Sequence, residues 1–93
     1  MDLEQIVEFT GLDPIPDGSG YHKYKFILKL SEIGEVREAI DESDNKPIEE
    51  WCVLFKKGLN RGILVLMPFN KMKNMLHRFT LRLNNVFYLE NMN

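Results

Sequence analysis

The sequence predicts an α+β domain: a ferredoxin-like βαββαβ sandwich, with an antiparallel sheet, two helices on one face and an extra N-terminal helix. Three observations carry that prediction. Tyr21–Leu30 alternates apolar with basic side chains, as a half-buried strand does. Ile33, Val36 and Ile40, and later Met72, Met75, Leu76, Phe79 and Leu83, recur at helical spacing. Two apolar runs, 49–57 and 61–68, flank Gly58-Leu59-Asn60, a hairpin signal.

The elements follow in order. Residues 2–10 read as a short helix, with Leu3, Ile6 and Val7 on one side, acids in its first turn and Gly11 as its stop. Residues 12–20 hold Pro14, Pro16, Gly18 and Gly20, which reads as a loop. In the strand that follows, Tyr24, Phe26, Leu28 and Leu30 face one way, and Lys23, Lys25 and Lys29 the other. Ser31 is placed to cap a helix that Ser43–Pro47 breaks. The run Gly62–Met67 is apolar on both parities, so it reads as a central strand ended by Pro68. Asn70 caps the second helix, Asn84-Asn85 stops it, and 86–90 forms a last strand. Strand, helix, strand, strand, helix, strand is the split βαβ order. Right-handed crossovers would put strands 1 and 3 in the middle of the sheet. The helix at 1–11, or a dimer partner, would cover the open face.

All 93 residues fit one domain, divided into a helix at 1–11, a loop at 12–20 and a βαββαβ core at 21–90. An apolar content of 44% with ten aromatics is enough for a core and argues against disorder. The single cysteine excludes an intramolecular disulfide and a thiolate zinc cluster. The apolar runs are too short to span a bilayer, and the acidic N-terminus is unlike a signal peptide. The expected location is cytoplasmic, with no membrane partner. Compact size, little cysteine and many asparagines are compatible with a phage or mobile-element protein.

Chemistry-bearing patterns are sparse. His22 and His77 have no orienting partner at a defined spacing, and Cys52, between Trp51 and Val53, reads as a small buried hydrophobe. The stretch Asp13–Gly18 has acids and a glycine, but Ile15 and Tyr24 stand where a calcium loop needs oxygen ligands. Gly18-Ser19-Gly20 precedes a strand, so it is no dinucleotide fingerprint. Arg61-Gly62 matches the opening of an RNA-recognition strand, yet Ile63, Val65 and Pro68 replace the stacking aromatics. The expectation is a non-catalytic protein with no cofactor and no metal.

Charge is the strongest remaining signal. Residues 1–50 hold thirteen acids against five bases, a net −8, and residues 51–93 hold seven bases against one acid, a net +6. Glu32, Glu35, Glu38, Asp41 and Glu42 would line an exposed helical face. Such a row can imitate the phosphates of a nucleic acid and occupy a basic groove on another protein. The first expectation is therefore a regulatory or inhibitory protein that binds another protein, itself a nucleic-acid binder, through those acids. The alternative is RNA or DNA binding through Lys56, Lys57 and Arg61 on the hairpin and Lys71, Lys73, Arg78 and Arg82 on the second helix. A third reading is a self-associating accessory subunit or homodimer, oriented by charge and anchored by Trp51 and Phe55.

Overall fold

The computed structural model describes residues 4–77, and residues 80–83 and 86–89 by their backbone. The chain forms strands β1 (Ile6–Pro14), β2 (Tyr21–Lys29), β3 (Ile33–Asp41), β4 (Lys46–Lys56) and β5 (Gly62–Val65), and then helix α1 (Phe69–Leu76). Two short strands follow, β6 (Thr80–Leu83) and β7 (Val86–Leu89). All strand pairs are antiparallel, in the order β2-β1-β5-β4-β3-β7-β6. The fold is mostly an antiparallel sheet, with one short α-helix among the described residues. It is not the ferredoxin-like two-helix sandwich that the residue pattern predicts.

Two predicted helices are strands. The first, expected over 2–10, is replaced by β1, which pairs with β2 over nine residues from Ile6↔Lys29 to Pro14↔Tyr21. A nine-residue helix is marginal by itself. The hairpin satisfies the same backbone in a ladder and suits the β-branched Ile6, Val7 and Thr10. Hence, among the described residues, no N-terminal helix covers the sheet. The predicted loop shrinks to a turn in which Gly18 donates its N–H to Ile15 C=O at 2.9 Å.

The second error lies in residues 32–42, which form β3 after a single 3₁₀ turn at Leu30–Glu32. Ile33, Val36 and Ala39 are buried there, every third residue, as on a helix. The register explains the period. Ile33 pairs with Lys56 and Glu35 with Phe55, so Gly34 is an extra residue. A second irregularity falls between Glu38 and Ile40. A bulge resets which parity faces the core, and two of them make a strand imitate a helical stripe.

The other predictions fare better. Gly58 takes a φ of 80° in the turn that joins β4 to β5, as the hairpin signal requires. β5 lies inside the sheet, between β1 and β4. β2 has the predicted faces but stands at the sheet edge, not in its middle. The second helix stops at Leu76, and the chain turns into β6, which pairs with β7. Phe79 of the predicted stripe lies outside the described residues.

One face of the sheet holds the core. Phe9, Leu28, Leu30, Ile33, Val36, Cys52, Leu54 and Val65 pack with Met72 and Leu76 of α1. Burying each such side chain contributes roughly 1.5–3 kcal/mol, which makes α1 the lid of this face. The sheet is also curled. Tyr21 of β2 meets Trp51 of β4 edge to face, with ring centroids 5.0 Å apart. In a flat sheet the two intervening strands would hold them roughly 14 Å apart.

Candidate functional site

The acidic residues do not form a ridge. Glu32 turns back to its own chain, where its Oε2 accepts the Lys29 N–H at 2.8 Å. Glu35 holds Arg37 in an ion pair at 2.9 Å, and Arg37 lies 4.7 Å from the Phe55 ring centre. Glu38 pairs across the ladder with buried Cys52 and lines a cleft with Phe69 and Lys73. Asp41 Oδ1 accepts both the N–H and the Oγ–H of Ser43, at 2.9 and 2.7 Å, in the β3–β4 turn. Those bonds hold its carboxyl below the usual carboxylate range. Glu42 is exposed in the same turn. A helix would have put these five carboxylates on one surface. The strand and its turn distribute them over two sheet faces and a loop.

The basic residues are divided as well. Lys56, Lys57 and Arg61 gather at the β4–β5 turn, where Lys57 donates its N–H to Glu32 C=O at 2.9 Å. Lys71 and Lys73 ride on α1, beyond the opposite end of β5. Arg78 lies outside the described residues, and Arg82 is described by its β6 backbone alone. Trp51 and Phe55 are half-buried, one against Tyr21 and the other beneath Arg37.

His22 is exposed, and His77 is exposed with its Nδ1 2.8 Å from Asn74 C=O. Cys52 is fully buried, and burial pushes its thiol up to about 12. Among the described residues, no group of three His, Cys, Asp or Glu is placed to hold a metal ion. No described helix is long and apolar enough to cross a membrane.

What the fold does assemble is a cleft of about 690 Å³ where the β1–β2 hairpin meets the β4–β5 turn. Tyr21, Tyr24, Leu59 and Arg61 line it, together with Asp13. Tyr21 is 45% exposed, Tyr24 36% and Leu59 55%, a high exposure for such large side chains. Arg61 is exposed beside them. Leu59 projects because Gly58 takes the left-handed turn conformation. Sequence reasoning finds Arg61 but misses the other three. Tyr24 alternates in phase with the core residues Phe26 and Leu28, and nothing local shows that its strand ends outside the packed layer.

Compared with known family models, curated proteins and solved structures, the chain matches none. The reading of its function rests on this surface.

Proposed function

We propose that this chain is a non-catalytic regulatory protein that binds another protein, and that the Tyr21–Tyr24–Leu59–Arg61 cleft is the contact. One observation carries the reading: two tyrosines, a leucine and an arginine from separate elements converge, exposed, on one concavity. Tyrosine and arginine are the side chains that most often dominate protein interfaces. The rings and Leu59 offer an apolar seat, and Arg61 offers a planar fork for a carboxylate. The fitting partner presents an apolar side chain next to an acid.

Nucleic acid is the second reading, because Arg61 stands beside two rings on which bases can stack. One experiment tests both. Leu59→Glu with Arg61→Glu changes only exposed positions, so the fold should persist. In pull-downs from the native source, protein binding predicts a partner that survives nuclease and is lost with this variant. A partner lost on nuclease treatment supports nucleic acid. Capture that is equal for wild type and variant removes the cleft from both readings.

A further inference from the structure

β2 is a terminal strand of the sheet, and among the described residues its outer edge is unpaired. The ladder's phase shows which groups point outward. Leu30 N–H bonds Gln5 C=O at 3.0 Å, and Ile15 N–H bonds Gly20 C=O at 2.9 Å. Both pairs continue the β1–β2 register, so the pairs between them in the same phase are Leu28–Val7, Phe26–Phe9, Tyr24–Gly11 and His22–Asp13. The N–H and C=O groups of Tyr21, Lys23, Lys25 and Ile27 therefore point away from β1. Lys29 N–H points the same way and is closed off by Glu32. Among the described residues no strand pairs with this edge.

The edge has a distinct chemistry. Residues 21–30 hold no acid, and Lys23, Lys25 and Lys29 are three of the five bases in the acidic half of the chain. Ile27 lies between the last two, 63% exposed. Lys25 Nζ stands 3.7 Å from Glu8 and donates to Thr10 at 2.8 Å, and Lys29 Nζ stands 3.3 Å from Glu4. All four charged side chains of these ion pairs are more than half exposed, so the pairs hold the lysines weakly. A strand added to β2 would run about 4.8 Å from the lysines' backbone, with β1 and its acids on the far side.

We infer that the free edge of β2 takes an extended acidic segment of another protein as an added strand, a site that adjoins the cleft at Tyr21 but uses the strand's main chain and its lysines. Main-chain bonds to the four open residues supply the pairing. Acids opposite Lys23 and Lys25 supply the charge match, and an apolar residue opposite Ile27 supplies contact. A second copy of this chain fits badly. Full overlap of two β2 strands sets Lys25 against Lys25, and a shift of two residues either way sets Lys23 against Lys25 or Lys29. Like charges directly opposed are destabilising.

The test uses the full chain and a synthetic peptide, Val-Thr-Glu-Val-Glu-Thr-Phe, followed by NMR. Shifts and slowed exchange at the Tyr21, Lys23, Lys25 and Ile27 amides are expected, weakening with salt. Lys23→Glu with Lys25→Glu should weaken binding at least tenfold, as should lysine in place of both peptide glutamates. N-methylation of the peptide backbone should abolish it, and Leu59→Glu with Arg61→Glu should leave it unchanged. An unbound acidic peptide, equal binding of the lysine peptide, or shifts confined to other residues would overturn the inference. So would protection of these four amides that rises with protein concentration and no peptide, since a second copy would then hold the edge.

Discussion

The Tyr24 ring lies over Gly11, its partner across the β1–β2 ladder. A β-carbon at residue 11 would fall 2.6 Å from the ring's Cε1 and from its hydroxyl oxygen. The ring thus covers a backbone that has no side chain of its own and closes one wall of the cleft. Gly11→Ala should destabilise the fold by about 1–3 kcal/mol in urea unfolding, the usual cost of overpacking. Adding Tyr24→Ala should recover part of that loss. Simple additivity of the two changes would show that the ring does not press on residue 11.

Glu32 closes the corner between β2 and β3. Its bond to the Lys29 N–H is a cap on an otherwise open donor. Glu32→Ala should cost about 0.5–2 kcal/mol, as loss of a capping side chain does. Glu32→Gln keeps an acceptor oxygen and should cost less. Glu42→Ala, in the exposed turn, should stay within about 0.5 kcal/mol of wild type. Equal losses at Glu32 and Glu42 in thermal unfolding would refute the distinction.

Cys52 links stability to alkaline pH. Its thiol is raised from 9.0 to about 12 by burial, so the unfolded chain releases this proton first. The folded state then holds one more proton than the unfolded state, and stability falls as pH rises through that window. Relative to Cys52→Ala, wild type should lose up to about 1.4 kcal/mol per pH unit above 9. Below pH 9 the two should run parallel. The same burial predicts that a thiol reagent at pH 8 labels Cys52 only as fast as the fold opens.

Asp41 gives the opposite sign. The Ser43 hydroxyl and N–H stabilise its charged form and lower its pKa below 3.8. The contribution is complete above the ordinary carboxylate range and is lost as pH falls through the lowered value. An NMR titration should place the Asp41 midpoint below that of a free aspartate. Ser43→Ala should move it upward and leave Asp17, bonded to Ser19, where it was.

The legible parts of this chain are those in which a local pattern has one structural meaning. Tyr21–Lys29 alternates with a single break at Ile27, and its faces follow. Gly58-Leu59-Asn60 marks a turn because glycine tolerates the φ that the turn needs. Gly62–Val65 is apolar on both parities and lies inside the sheet. The illegible parts are those in which a tertiary irregularity rewrites the period. The burial of Ile33, Val36 and Ala39 has a spacing of three because the pairing slips at Gly34 and again after Glu38. No helix is present there, and the acidic face inferred from one dissolves with it.

The charge division of the chain was readable from residue types alone, as were the strand at 21–29, the β4–β5 turn and the burial of Cys52. Each depends on side-chain chemistry or on the preferences of a few neighbouring residues. The tertiary structure decided where the charges stand and which surface is assembled. β1 claims β2 as its partner, and that pairing places Tyr21 and Tyr24 beside the turn that carries Leu59 and Arg61. Among the described residues it also leaves the lysine-bearing edge of β2 unpaired. Strand partners are chosen by contacts between distant residues, and a period read within one segment does not contain them.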